Sequence, residues 1–115
     1  YSEGKSFAMK NLSKLDLSNL DLNSIDLSMA NCKESNFKNT NLSGAKFEQT
    51  NFNKTDFTHA KLISVKAQMC NFKESVFDGS ILDDFKGDMA LFEKVVLKDI
   101  KIKNCCFDGF VFKDC

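Results

Sequence analysis

Residues 30–59 read ANCKE SNFKN TNLSG AKFEQ TNFNK TDFTH, and every block of five has Cys, Leu or Phe at its third position. The same spacing runs without insertion or deletion from Phe7 to Phe112, and Gly87 is the only residue at this position that is not apolar. We call this residue the centre of each repeat. A fixed internal period is typical of repeat architectures, in which successive segments adopt the same local structure.

A period of five fits neither of the two common secondary structures. An amphipathic helix needs apolar residues about every 3.6 positions, and a half-buried strand alternates strictly. A short extended segment followed by a corner does fit, because the two neighbours of an inward centre then point outward. The residue two positions before each centre is also small or apolar from Leu15 onward. The pattern therefore predicts a square coil with two inward residues per repeat.

Stretches such as TNLSG at 40–44 and TDFTH at 55–59 resemble the pentapeptide-repeat proteins, whose consensus is a small residue, Asp or Asn, Leu or Phe, and two polar residues. The resemblance covers essentially the whole chain. It implies an all-β fold, a right-handed quadrilateral parallel β-helix with about 20 residues per coil and hence five to six coils here. In such a solenoid each coil buries its side chains against its neighbours rather than in a globular core.

Like residues recur at a period of 20, as a coil of four repeats requires. Methionines stand at positions 9, 29, 69 and 89, and asparagines at 11, 31, 51 and 71. Gly44, Gly79 and Gly109 lie two positions after a centre and predict type II turns, which need a positive φ there. We expect less regular, more helical corners elsewhere. Phe85, the inward residue before Gly87, is unusually large, so we expect internal repacking at Gly87 rather than a ligand pocket.

We expect residues 1–115 to form a single β-helix domain. Its ends are abrupt, since Cys115 falls within a repeat and no polar cap follows it. Solenoids need capped ends for solubility. The sequence therefore predicts either that this domain is part of a longer protein or that its C-terminal coil contacts a protein partner or a second copy, giving a homodimer.

Composition argues against several classes of function. The formal net charge is zero, with 16 basic and 16 acidic residues, and the aromatic residues are predicted to point inward, so nucleic-acid binding is not expected. No apolar run approaches the ~18–20 residues of a membrane span. Free cysteines at mostly inward positions favour a reducing compartment, so we expect a cytoplasmic protein.

Chemical groups for catalysis are also missing. His59 is the only histidine and has no placed nucleophile or carboxylate partner. The spacing of Asp83, Asp84 and Asp88 fits no calcium loop, and the five cysteines show no metal-binding spacing. We therefore expect no enzyme, no cofactor, no metal and no small-molecule substrate.

The most informative predicted surface is one face and its corner. Three columns are expected there: Met9, Met29, Met69 and Met89 along the corner, Lys46, Lys66 and Lys86 on one side of the face, and Glu48 and Asp88 on the other. Exposed apolar stripes mark contact surfaces, and methionine suits adaptable contacts. The alternative is that the methionines only shield the corner. A second apolar patch is predicted from Val76, Ile81, Leu91, Val96 and Val111.

These observations indicate a non-catalytic, rigid solenoid that acts as a protein–protein interaction module or scaffold. The family resemblance implies two alternatives. Some pentapeptide-repeat proteins modulate type II topoisomerases such as gyrase by mimicking duplex DNA, which requires an acidic face that the mixed charges here do not supply. The other alternative is a targeting or recognition domain of a larger bacterial secreted effector.

Overall fold

The computed structural model describes residues 6–109, 111–113 and 115, and no helix occurs in that part of the chain. Its strands are β1 (Lys61–Ile63), β2 (Ile81–Asp83), β3 (Leu91–Glu93), β4 (Lys101–Lys103) and β5 (Val111–Lys113). Strands β1, β2 and β4 form one parallel sheet in that order, and β3 pairs in parallel with β5. The strands are short because a corner follows every repeat.

Most of the chain forms single parallel bridges, and each bridge joins residues 20 positions apart. One column of bridges runs through Asn11, Asn31, Asn51, Asn71 and Leu91, and equivalent columns lie on the other sides of the coil. The predicted right-handed, four-sided parallel β-helix is confirmed. The molecule measures 35 × 22 × 22 Å along its principal axes.

Backbone hydrogen bonds between successive coils form a ladder along each side. The amide N–H of Phe52 donates to the carbonyl of Asn71 in the next coil at 2.8 Å, and the N–H of Asn51 donates to the carbonyl of Ala30 in the previous coil at 3.1 Å. Equivalent bonds recur in the other repeats. The main-chain polar groups of the extended segments are thereby satisfied without a conventional wide sheet.

The residue before each centre stabilises the corner that follows. The Oδ1 atom of Asn51 accepts a hydrogen bond from the N–H of Asn53 at 2.9 Å, and the Oδ1 atom of Asp56 accepts one from the N–H of Thr58 at 2.9 Å. Short polar side chains make such local bonds readily. This bond explains why Asn and Asp dominate this position in the first half of the chain.

The centres fill the interior of the coil, and all of them from Leu22 to Phe92 are buried. Stacked rings form two neighbouring columns with centroid distances of 5.0 to 5.5 Å, Phe52, Phe72 and Phe92 in one and Phe37, Phe57 and Phe77 in the other. Edge-to-face contacts such as Phe72 with Phe77, at 5.3 Å, join the two columns. Both arrangements are favourable for aromatic pairs.

Where the second inward position carries Ser, Thr or Cys, the side chain donates a hydrogen bond to a main-chain carbonyl. The Oγ1 atom of Thr50 donates to the carbonyl of Leu27 in the previous coil at 2.6 Å, and the Sγ atom of Cys70 donates to that of Phe47 at 2.7 Å. A buried hydroxyl without such a partner would be costly.

Centres near the ends are less buried than predicted. The expectation that every centre is buried is wrong for Ile102, which is 49% exposed, and Cys115, also predicted to point inward, is exposed. Other centres are only partly buried: Phe7, Leu12, Leu17, Leu97 and Phe107. Because each coil is covered by its two neighbours, residues of the outermost described coils lack one of those covers.

The core at Gly87 is repacked by a neighbouring ring. Phe85 is fully buried, and a Cβ atom placed on Gly87 would lie 3.0 Å from its Cε1 atom and 3.2 Å from the Cδ1 atom of Phe107. The rings of Phe85 and Phe107 lie 6.0 Å apart. The space left by the missing side chain is therefore filled from within the coil.

The corners are more uniform than predicted. Gly44, Gly79 and Gly109 have φ angles of 73°, 67° and 70°, as type II turns require. The expectation of more helical corners elsewhere is wrong, because all eighteen non-glycine residues at equivalent positions of the described chain also have positive φ, from 54° to 64°. Every coil must turn in the same direction at the same level for the ladder to continue, so the stacking imposes this conformation on residues that disfavour it.

Phe72→Ala is expected to lower the free energy of unfolding by about 3–5 kcal/mol, because it leaves a cavity between stacked rings. Urea denaturation followed by circular dichroism measures this loss. The exposed Lys33→Ala is the matched surface control and should change stability by no more than about 0.5 kcal/mol. Equal, small losses for both variants would contradict the packing described above.

The free energy of unfolding of the Glu34→Gly variant should be about 1 kcal/mol higher than that of the Lys33→Gly variant, although the two residues are adjacent. Glu34 has a φ of 61°, and this left-handed conformation costs a non-glycine residue roughly 1–2 kcal/mol. Lys33 does not adopt positive φ, so glycine there only adds freedom to the unfolded chain. Thermal denaturation of both variants tests the prediction, and a larger loss for Glu34→Gly would contradict it.

Candidate interaction surface

The first column of the candidate face consists of stacked lysines. Lys46, Lys66 and Lys86 occupy the position before a centre in three successive coils, and parallel bridges join Lys46 to Lys66 and Lys66 to Lys86. All three side chains are exposed. Because neighbouring strands lie about 4.8 Å apart, three like charges are held in a row along the face, as the sequence predicted.

The second column lies on the other side of the same strands. Glu48, Gln68 and Asp88 follow the centres by one position and are partly exposed. We call them the acidic column. The Oδ1 atom of Asp88 accepts a hydrogen bond from the N–H of Asp108 in the next coil at 3.0 Å. This column lies two positions after the lysines, with one centre between them, which corresponds to about 6.6 Å along an extended strand.

The methionines occupy the corner next to the acidic column. Met9, Met29, Met69 and Met89 are 73%, 53%, 47% and 64% exposed, and Gln49 fills the gap in the column. Their positive φ angles, from 57° to 61°, direct these side chains away from the coil. The methionines therefore do not pack into the core, and they form an apolar ridge along the corner.

A shallow trough of about 510 Å³ runs between the lysine and methionine columns. Its lining residues are Ser28, Met29, Glu48, Gln49, Lys66, Gln68, Met69 and Lys86. The trough thus brings together five of the residues that the sequence predicted for this surface, whereas Met9, Met89, Lys46 and Asp88 lie outside its lining. Gln68, which the sequence places in the same column as Glu48 and Asp88, also lines the trough, and its Oε1 atom is buried without a hydrogen-bond partner among the residues described.

The electrostatics of this face differ from those of its neighbours. Ion pairs within 4 Å among the described residues join Lys38 to Asp56, Lys54 to Glu74 and Lys73 to Glu93, and none involves the lysine column. Asp26 lies next to Lys46 in the same bridge column. A hydrogen bond from the N–H of Ser28 holds the pKa of the Asp26 carboxyl below its ordinary value, and the Lys46 charge acts in the same direction.

Sequence reasoning missed a column of alternating charge on another corner. Lys14, Glu34, Lys54, Glu74 and Lys94 stand two positions after centres that are 20 residues apart. The Nζ atom of Lys54 lies 3.9 Å from the Oε2 atom of Glu74. The period of 20 would have revealed this column, because it places opposite charges in adjacent coils. Opposite charges therefore alternate from coil to coil at this corner, whereas Lys66 of the lysine column has a lysine on each side.

The predicted second apolar patch does not form one continuous surface. Val76 pairs with Val96, whereas Leu91 and Ile81 belong to bridge columns on two other sides of the coil. Leu91 and Val96 are 38% and 47% exposed, and Val76 and Ile81 are partly buried. The side chain of Val111 lies outside the described residues. The methionine corner is thus the longer apolar feature.

Groups with catalytic or metal-binding chemistry are scattered over the described part of the chain. The exposed His59 ring lies over Gly79, where a Cβ atom would collide with it. Cys32 and Cys70 are buried, and burial raises the pKa of the Cys32 thiol to about 12 and also raises that of Cys70. No three His, Cys, Asp or Glu side chains converge on a metal site within the described residues. Among these residues, none forms a helix that is long and apolar enough to cross a membrane.

Comparisons with known proteins agree with this architecture. A family model for pentapeptide repeats, with eight copies of the repeat, matches residues 16–53 and 30–66. The chain is similar to the crystal structure of Rfr23, a pentapeptide repeat protein from the cyanobacterium Cyanothece 51142, with 20% identity over 92% of this chain and 90% of that chain and a TM-score of 0.75. It is also similar to alr5209, a pentapeptide repeat protein from Nostoc Pcc 7120, with 18% identity over 89% of this chain and 84% of that chain and a TM-score of 0.61.

A third similar structure is QnrB1, a plasmid-mediated fluoroquinolone resistance protein. The identity is 12%, the match covers 96% of this chain and 71% of that chain, and the TM-score is 0.51. No curated protein sequence matches the chain. At these identities the likeness concerns the fold.

Proposed function

We propose that the chain, in which residues 16–53 and 30–66 match the family model for pentapeptide repeats, is a non-catalytic, rigid solenoid whose function is to bind another protein. The observation that carries the proposal is the methionine column, in which four apolar side chains are 47% to 73% exposed at equivalent corners of one face. Scattered exposed apolar residues are ordinary, but an aligned apolar stripe marks a contact surface.

The chemistry of the face suits a protein partner. Methionine side chains are unbranched and polarizable, so they adapt to the shape of a partner without a preformed pocket. The lysine column and the column of Glu48 and Asp88 run beside them and supply charged contacts. An apolar strip with charged residues beside it combines the apolar and polar contacts that protein interfaces use.

The rigidity of the solenoid supports a role in presenting this surface. Hydrogen bonds join each coil to the next, and the rings of Phe52, Phe72 and Phe92 stack through three coils without a break. Side chains on such a scaffold hold their spacing before a partner arrives. Preorganisation of this kind reduces the entropy lost on binding.

The alternative function, topoisomerase modulation by DNA mimicry, finds less support in the charges. The candidate face carries lysines in three successive coils. On the corner with the column of alternating charge, Lys54, Glu74 and Lys94 follow one another in successive coils. Opposite signs in adjacent coils cancel the long-range field that would attract a DNA-binding protein. The likeness to QnrB1 is at 12% identity and concerns the fold alone.

Changing three methionines to the residue already present at position 49 tests the proposed contact surface. The triple variant Met29→Gln, Met69→Gln, Met89→Gln should alter the free energy of unfolding by no more than about 0.5 kcal/mol for each exposed site. It should also lose most of the binding to a protein partner recovered by affinity capture with the unmodified chain.

The matched control for this test is the double variant Leu91→Gln, Val96→Gln, which removes exposed apolar side chains on other sides of the coil. Partner capture should survive in the control. A large fall in melting temperature of the triple variant would make the methionines structural. Unchanged capture by the triple variant, with loss of capture in the control, would move the contact surface to the side of Val96.

The protein is expected not to inhibit DNA supercoiling by gyrase at micromolar concentration. The physical reason is the interleaving of lysines with acids, which leaves no continuous negative field for a surface that binds phosphates. A supercoiling assay on relaxed plasmid measures this, and the assay is repeated at higher ionic strength. Inhibition that weakens as salt increases would contradict the prediction, because it would reveal an acidic surface that binds the enzyme electrostatically.

A further inference from the structure

We propose that the partner recognised by the candidate face is a second copy of this chain, packed side by side with its rod parallel to the first. This inference rests on the proposed function, since it assigns an occupant to the same surface. It differs from a dimer through the C-terminal coil, because the contact here is a flat side of the solenoid. The argument depends on the order of the charged columns across the face.

The two charged columns are complementary under one symmetry operation. Lysines precede the centres of this face by one position, and the residues of the acidic column follow the same centres by one position. When two copies meet face to face, a two-fold axis can run parallel to the rods in the interface, above the line of centres. This axis places the lysine column of each copy opposite the acidic column of the other copy. Such an axis is the symmetry of most protein dimers, in which each copy uses the same surface.

This operation also fixes the register along the rod. A two-fold axis allows no translation along itself, so each residue meets the opposite residue of the same coil. Lys46 then lies over Glu48 of the second copy, and Lys86 lies over its Asp88. Each of these contacts occurs twice in the dimer, so four pairs of opposite charge are made.

The opposite arrangement of the rods is disfavoured by the same columns. A two-fold axis perpendicular to the rods keeps each column on its own side, so the lysine column of one copy would face the lysine column of the other. Like charges that are directly opposed are destabilising. The face therefore specifies parallel rods by repulsion as well as by attraction.

The trough supplies the shape for this contact. It lies between the lysine and methionine columns, with Glu48 and Gln68 among its lining residues. In the parallel dimer the lysine column of the second copy enters the trough. Its aliphatic stems then lie against Met29 and Met69, while the ammonium groups remain near the acidic column, as long basic side chains commonly do.

This arrangement accounts for one feature that lacks a local explanation. The like-charged stack of Lys46, Lys66 and Lys86 has no ion pair within the described residues. In the proposed register Lys46 and Lys86 each meet a carboxylate of the second copy, and Lys66 faces its Gln68.

The short length of the contact predicts that the dimer is weak and reversible. The paired columns run through only three coils, from Lys46 to Lys86, or about 10 Å at the spacing of neighbouring strands. They occupy a part of the 35 Å length of the rod, so they bury less than the roughly 1,200–2,000 Å² of total surface in a stable interface. Exposed charge pairs contribute modestly and are screened by salt. Self-association should therefore appear at high protein concentration and decrease as sodium chloride is added.

Charge reversal tests the proposal by sedimentation velocity of the full chain from micromolar to submillimolar concentration. Lys46→Glu with Lys86→Glu should weaken self-association by about tenfold or more, because four attractive pairs become repulsive. Glu48→Lys with Asp88→Lys should do the same. An equimolar mixture of the two variants should associate again, since every reversed lysine then meets a reversed acid.

Lys61→Glu with Lys101→Glu is the matched control. These exposed lysines occupy the same position of the repeat, on a different side of the coil, and are separated by the same two coils. The control should associate as the unmodified chain does. Gln68→Glu should strengthen association, because it completes the acidic column opposite Lys66 of the second copy.

Three outcomes would overturn the inference: an unmodified chain that stays monomeric throughout the concentration range, self-association that neither reversal affects, or a mixture that does not associate again. If the unmodified chain is monomeric but the methionine triple variant loses capture of a different protein, the proposed function stands and only the dimer is excluded. If self-association changes with the charge reversals as described, and the methionine triple variant loses capture of no other protein, the results support the dimer alone.

Discussion

The hydrogen-bond ladder that joins each residue to the one 20 positions later is the constraint on which the rest of the structure depends. A parallel ladder with this period requires every coil to superimpose on the next. An insertion of one residue would move every later side chain to a different side. The ladder therefore explains why the spacing of centres is kept through the described chain, and why residues such as Met69 and Glu74 adopt the left-handed conformation that glycine accepts more easily.

Stacking in register also determines what each side chain contacts. Inside the coil it stacks residues of the same type on each other, which is favourable for aromatic rings such as those of Phe52 and Phe72, whose centroids lie 5.4 Å apart. Outside, the same rule can bring like charges together. The corner that carries Lys54 and Glu74 avoids this cost by alternating its charges. The lysine column on the candidate face does not avoid it, and this contrast between two surfaces of one scaffold is the reason to attribute a contact to that face.

The core shows how much variation this scaffold tolerates. At Gly87 the inward side chain is absent, yet the ladder continues, since Gly87 still donates to Cys106 at 2.8 Å. Phe85 fills the space from the adjacent inward position. Side-chain volume can thus be exchanged between the two inward positions of neighbouring repeats, provided that the backbone spacing is unchanged. Outward residues are less constrained by packing, so they are available for specific contacts.

The sequence alone determined the coil, its period and the identity of the columns, because in a strictly periodic solenoid the position in the chain specifies the position in space. Met29 and Met69 could be assigned to one exposed corner for this reason, and Lys46 and Lys66 to one column. The tertiary structure decided what depends on neighbours at a distance. The exposure of Ile102 reflects a missing cover at the end of the described coils, and the uniform corners reflect the demands of stacking over local preference. The trough and the unpaired oxygen of Gln68 depend on how side chains of different coils lean against each other, which periodicity does not specify.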